Sequence, residues 1–154
     1  EYANVQGASF FQASDKLPPK TLRDAISHLP KLDSRKGHEA NLDVSEYHYV
    51  PVMKEEKYWW VSNTPEGKTA YNNQCVADGC GYQGNALHRD VQERGRWTSN
   101  KSTPIHCEKC GSLLPRPNII DRTTEERRLI RGFHSAYRRM LWDEPARALT
   151  KNMR

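Results

Sequence analysis

Two stretches decide how this chain folds: Cys75-Val-Ala-Asp-Gly-Cys80-Gly81 and Cys107-Glu-Lys-Cys110-Gly111. They hold all four cysteines of the 154 residues. Each pair runs into a glycine, which lets a tight turn aim two thiolates at one metal ion. Four soft sulfur ligands predict a closed, tetrahedral, structural zinc site of the ribbon or knuckle type. A closed shell has no position left for water or substrate. Zinc would therefore organise the fold, and the function would lie elsewhere. Two other chemistries use four cysteines. Disulfides belong to oxidising compartments, whereas no signal peptide is visible and the chain reads as cytoplasmic. Iron–sulfur clusters use other spacings. His88 and His106 are spare ligands, His106 because it abuts Cys107. A surface or supporting role is the commoner reading for both.

The composition agrees with a metal-stapled domain. Only 36% of residues are apolar, and nine Gly and nine Pro interrupt the chain, so the core is modest and a metal cross-link is useful. No apolar run approaches the ~18 residues that span a membrane, so no membrane partner is expected. A first residue Glu1 in place of Met fits a processed product or a piece of a larger protein.

The charge is uneven. Arg116–Arg154 carries nine Arg and one Lys against two Asp and three Glu, which equals the whole chain's net +5. Charge runs are usually solvated faces. Arginine in place of lysine tilts the reading towards nucleic acid, because its planar fork grips phosphates and guanine edges.

Residues 1–19 read as an arm ending in Pro18-Pro19. Residues 20–29 predict a helix: Thr21 and Asp24 form a capping start, and Leu22, Ala25, Ile26 and Leu29 share one face. Pro30 ends it. Tyr47–Val52 has strand composition, and a helical turn through Met53–Trp60 is an alternative for the next segment. Trp59 and Trp60 read as packing for the knuckle, with base stacking as the sharper alternative. Thr64–Lys68 is a turn. Residues 82–104 are hydrophilic and read as a mobile excursion from the metal site. Thr123-x-x-Glu126 matches a capping box and predicts a helix to about Met140, with Gly132 against it. Extended structure over Arg128–Ile130 and Ser135–Met140 is the alternative. The fold class is α+β: a small, loop-rich, β-containing domain around a four-cysteine zinc ribbon or knuckle, with one or two short helices. It occupies residues 20–150, with 151–154 as a tail.

Two segments carry a family likeness. Thr21-Leu-Arg-Asp-Ala-Ile-Ser-His-Leu-Pro30 and Tyr137-Arg-Arg-Met-Leu-Trp-Asp-Glu-Pro-Ala-Arg-Ala-Leu-Thr150 resemble stretches of bacterial and phage DNA (cytosine-5) methyltransferases. In that family the first type of stretch follows the main catalytic motifs. The second closes the target recognition domain. The order here matches, and Thr64-Pro-Glu-Gly67 resembles the variable region between. The family's Pro-Thr before Leu-Thr is replaced by Arg147-Ala148, although Thr150 matches. None of the four cysteines follows a proline, as the family's nucleophile does. The Glu-Asn-Val motif and the methyl-donor loop Asp-x-Phe-x-Gly-x-Gly are also missing.

The resemblance implies a recognition domain that binds double-stranded DNA and is non-catalytic by itself. Its restriction-modification parent would supply the catalytic lobe and S-adenosyl-L-methionine. Candidate DNA contacts are Lys68, Arg89, Arg94, Arg96, Lys101, Arg116, Arg138 and Arg139, the loop arginines facing bases and the later ones phosphates. Asn72, Asn73 and Gln74 are candidate readers of adenine edges, against the plainer reading as turn residues beside a knuckle. The alternative function is a free-standing zinc-ribbon module binding nucleic acid or protein. A zinc deaminase is disfavoured, since neither His-x-Glu with a free middle position nor Pro-Cys-x-x-Cys occurs.

Overall fold

The computed structural model describes residues 18–147. The arm, apart from Pro18-Pro19, the tail 151–154 and the family-like Thr150 lie outside the described residues. Two short helices come first, α1 (Leu22–Ile26) and α2 (Glu55–Ser62). A 3₁₀ turn, Ala70–Asn72, precedes the first cysteine. Two antiparallel hairpins follow: β1 (Asp90–Glu93) with β2 (Arg96–Ser99), and β3 (Asn118–Ile120) with β4 (Arg127–Leu129). The chain is thus α+β and loop-rich, and its four cysteines lie close together. No helix among the described residues is long and apolar enough to cross a membrane.

The helix start at Thr21 is seen as expected. Thr21 Oγ1 accepts from the Asp24 amide at 3.1 Å, and the Asp24 carboxylate accepts from the Thr21 amide at 3.0 Å. The other free amides of the first turn are satisfied across the chain. Leu22 N–H donates to the Glu144 carbonyl and Arg23 N–H to the Trp142 carbonyl, both at 2.9 Å. This answers the need of every helix start for external acceptors. The Arg23 guanidinium grips both Asp143 oxygens, at 2.5 and 3.1 Å, and lies over the Trp142 ring. The two ends of the domain are therefore joined. None of the α1 residues is buried, and Ile26 and Leu141 remain 39% and 38% exposed.

Three sequence expectations are corrected. Tyr47–Val52 forms no strand; one isolated bridge, Ala40 with Tyr49, is its only ladder contact among the described residues. Strand composition needs a partner, and the one alongside is short: residues 39–41 give two backbone hydrogen bonds, Asn41 N–H to the His48 carbonyl and Val50 N–H to the Glu39 carbonyl. Residues 82–104 contain the β1–β2 hairpin rather than a featureless loop. Thr123-x-x-Glu126 starts no helix but belongs to the β3–β4 turn, where the Asp121 backbone pairs with Glu125 and Glu126. Arg127–Leu129 is extended, in line with the first half of the alternative; in the second half residues 134–137 form a turn, and Arg138 alone makes a bridge, with Thr69. The second helical alternative is also realised, since α2 covers Glu55–Ser62.

The core has two centres. Tyr71, Ile105 and Leu129 form one, backed by Leu113, Ala136 and Tyr137. Cys75, Cys107 and Leu114 form the other, backed by Ala77, Cys80 and Tyr82. Trp60 meets Tyr137 edge-on at 6.3 Å, which makes it a packing residue. Among the described residues, eight buried side chains are polar, against eight apolar ones and the two prolines Pro115 and Pro117. Hydrogen bonding therefore organises this interior as much as apolar contact does.

Gly132 occupies a tight corner of the first centre. A Cβ there would lie 2.3 Å from the hydroxyl oxygen of Tyr71. That hydroxyl donates to the Ile130 carbonyl, and the Tyr71 ring is fully buried. Gly132→Ala is expected to cost about 1–3 kcal/mol through overpacking. Urea unfolding checks this; an unchanged midpoint would contradict the packing described.

Candidate metal centre and nucleic-acid interface

The two knuckles fold onto each other. Ligand atoms of Cys75, Cys80, Cys107 and Cys110 all lie within 4.8 Å of one another. Cys75 and Cys110 sulfurs are 3.7 Å apart, and those of Cys80 and Cys107 are 3.9 Å apart. Four sulfurs at ~2.3 Å from a central tetrahedral ion would be separated by about 3.8 Å. The set could thus hold a metal ion such as zinc. No disulfide joins the four. His88 and His106 stand outside this cluster, His106 in a bridge with Leu113.

Local backbone makes the knuckles. The Cys107 amide donates to the Ser112 carbonyl and the Gly111 amide to the Cys107 carbonyl. This tight reversal puts Gly111 at φ 73°, and Gly81 of the other knuckle stands at φ 54°, a region costly for a side chain with a Cβ. Amides and hydroxyls face the sulfurs. Ser112 hydrogen bonds bring Cys110 down to about 6. Burial raises Cys107, but the Cys110 and Lys109 amides outweigh it and lower the thiol. Cys80 receives a favourable hydrogen bond from Tyr82, yet the neighbouring Cys110 thiol and burial push it up to about 12.

The amide residues beside the first knuckle are scaffold. Asn73 is 1% exposed, and its Nδ2 donates to the Trp60 and Pro115 carbonyls. Gln74 Oε1 accepts from the amide and side chain of Asn85, and Gln74 Nε2 donates to the Asn72 carbonyl. Asn72 Oδ1 accepts from the His88 amide at 2.7 Å. These bonds oppose the base-reading role expected for the three residues. Asn85 links the knuckles, since its Oδ1 also accepts from the Glu108 amide.

Arg116 is corrected as well. It is fully buried. Its Nε donates to the Asn73 carbonyl, and its Nη1 to the Ala86 and Pro104 carbonyls. A side chain held this way reaches no phosphate. Its flanking prolines, Pro115 and Pro117, are equally buried.

The other cationic candidates stay at the surface. Arg89, Arg94, Arg96, Lys101, Lys68 and Arg139 are exposed, and Arg138 is half-buried. Arg139 leans on the Thr64 carbonyl and lies 4.0 Å from Glu66. Arg94 and Arg96 flank the tip of the β1–β2 hairpin. Arg94 and Gly95 both have positive φ, 50° and 75°, the pattern of the two-residue turn that best matches strand twist. The register pairs Glu93 with Arg96 and Gln92 with Trp97. One face thus carries Glu93, Arg96 and Thr98, and the other Gln92 and Trp97. Sequence reasoning placed Trp97 in a loop. The structure presents it on a strand, 64% exposed. The alternation of residues 90–99 about Arg94-Gly95 was the available signal.

An open cleft of about 440 Å³ lies beneath Trp97, lined by His88, Arg89, Asp90 and His134. His134 Nδ1 lies 2.5 Å from Asp90 Oδ2, and the His134 amide donates to Asp90 Oδ1. This contact closes the base of the hairpin against residues 132–136. His88 is buried and stacks on Tyr71 at 4.6 Å. Its Nε2 is 3.0 Å from the Gly132 carbonyl, which only accepts, so Nε2 carries the proton. Nδ1 then accepts from the Thr103 hydroxyl at 2.7 Å. Burial lowers His88 below the usual histidine range. Its stabilising contribution is complete above the unfolded value of about 6.5 and is lost as pH falls through the folded one. Between about pH 7 and 5, the parent chain is expected to lose stability more steeply than His88→Gln. Parallel slopes in thermal melts would refute this.

Similarity to known proteins is narrow. The chain is 25% identical over 130 residues to the type II methyltransferase M1.HgaI of Avibacterium volantium. The match takes in 84% of this chain but 23% of that protein, so the chain spans about a quarter of its relative's length. No family model matches, and no solved structure does.

Proposed function

We propose that this chain is the target recognition domain of a DNA (cytosine-5) methyltransferase, built around one structural zinc ion and non-catalytic by itself. One observation carries the reading. The two family-like segments, far apart in sequence, are joined at the Leu22–Glu144 and Arg23–Trp142 hydrogen bonds and the Arg23–Asp143 ion pair. A domain inserted into a larger enzyme must leave and return at one place, and these contacts provide it. Similarity to a methyltransferase about four times as long supports the same reading. Exposed apolar surface at Ile26 and Leu141, beside that junction, suits a lobe that covers it.

Zinc held by Cys75, Cys80, Cys107 and Cys110 would cross-link the two knuckles and rigidify what projects from them. The β1–β2 hairpin is the element best shaped for a groove, because a two-stranded ribbon fits the major groove. Arg94 and Arg96 would face base edges there, with Arg89 and Lys101 on adjacent phosphates. Lys68, Arg138 and Arg139, near the junction, would hold the backbone on the side of the catalytic lobe. That lobe would bind S-adenosyl-L-methionine and receive the flipped cytosine. Such an enzyme works in the cytoplasm on bacterial or phage DNA.

Selection of binders from a random duplex pool by the zinc-loaded chain tests this. A short recurrent duplex sequence is the expected outcome. Preference for single-stranded RNA would favour a free-standing zinc-ribbon module instead. A parent reading frame encoding a Pro-Cys nucleophile upstream would support the methyltransferase assignment independently.

A further inference from the structure

Arg116 is the largest fully buried side chain of the described residues. No described carboxylate lies within ion-pair distance of it. Three carbonyls take its Nε and Nη1, while Nη2 is buried without any partner among the described residues. A buried cation left this way is costly unless an opposite charge stands nearby. Its hydrogen-bond partners indicate where that charge would be. Asn73 precedes Cys75 by two residues and Pro104 precedes Cys107 by three. At full extension those are about 7 and about 10 Å of chain. Ala86, the third partner, donates its amide to Glu108, which lies between Cys107 and Cys110. The guanidinium thus binds the backbone leading into both knuckles.

Zinc with four thiolates carries a net charge of two minus. We propose that Arg116 is the internal counter-charge of this metal centre, a positioning residue that ties both knuckle segments together and raises metal affinity. The inference rests on the metal reading above. Burial brings the guanidinium down to about 10, with the exposed Glu108 carboxylate opposing that fall. Arg116 is thus a cation at neutral pH. Glu108 is the one rival counter-charge among the described residues, and it faces solvent.

Zinc affinity, measured by chelator competition on the full chain, separates the contributions. Arg116→Gln keeps hydrogen-bond donors but removes the charge, and should weaken zinc binding about tenfold or more. Arg116→Lys should retain most of the affinity, and Glu108→Gln should change it little. Cys110→His exchanges an exposed thiolate for a neutral imidazole. In that background the penalty of Arg116→Gln should shrink, a coupling that a purely structural clamp would not produce. Should Arg116→Gln fail to fold, Arg116→Met serves in the same cycle. Equal losses for Lys and Gln, or an unchanged penalty in the Cys110→His background, would overturn the proposal. So would Glu108→Gln reproducing the loss. Absence of zinc from the parent chain would instead remove the metal reading itself.

Discussion

Cys107→Ser is expected to abolish the folded state of this chain. Cys107 is 3% exposed and forms a core centre with Cys75 and Leu114. Its sulfur is also one of four that meet between the knuckles. Structural zinc in small domains contributes about 10–16 kcal/mol of binding energy that is also folding energy. A domain of this size has a total stability of about 5–15 kcal/mol. Removing one ligand should therefore take away most of the margin, and a strong chelator should do the same to the parent chain. Metal analysis should give about one zinc per parent chain and far less for the variant. Circular dichroism should show no cooperative melt for the variant. A metal-free chain with an unaltered melt would mean that Leu114, Tyr71 and the hydrogen-bond network suffice.

Paired substitution of Arg94 and Arg96 should have the largest effect on binding. Arg94→Gly with Arg96→Ala removes two cations from the hairpin tip without disturbing the core. Arg94 itself sits at φ 50°, where a residue other than Gly loses roughly 1 kcal/mol. Arg94→Gly is therefore expected to stabilise the chain by up to about 1 kcal/mol. The double variant should bind duplex DNA at least about tenfold more weakly, since each good bidentate base contact is worth about 1–3 kcal/mol. Stability rising while affinity falls would mark Arg94 as strained for a purpose. Unchanged DNA affinity would place the interface elsewhere, with Lys68 and Arg139 as the next positions to replace.

The four-cysteine cluster was legible because metal-ligand chemistry demands few residue types at short spacing. The helix cap at Thr21 and Asp24 was legible for the same reason, since both partners are local. Thr123 and Glu126 carry an equally good local pattern, yet the pairing of Asn118 with Leu129 draws the chain into a hairpin. A cap motif predicts a helix only where nothing pairs with the residues that follow. Arg116 defeats sequence reading because arginine type suggests surface, while its three backbone acceptors come from positions 73, 86 and 104. No window around residue 116 contains them. Asn72, Asn73 and Gln74 are drawn inside by the same long-range network. The joining of Arg23 to Asp143 spans 120 residues, so no local pattern announces it.

The measurement that bears most directly on a zinc-built DNA reader is duplex binding by the zinc-loaded chain across a series of salt concentrations. Affinity should fall steeply with salt, because each phosphate-neutralising cation contributes a log–log slope of about −0.9. Chelation of the metal should abolish that binding. Affinity that ignores salt, or that survives intact in the metal-free chain, would contradict the reading.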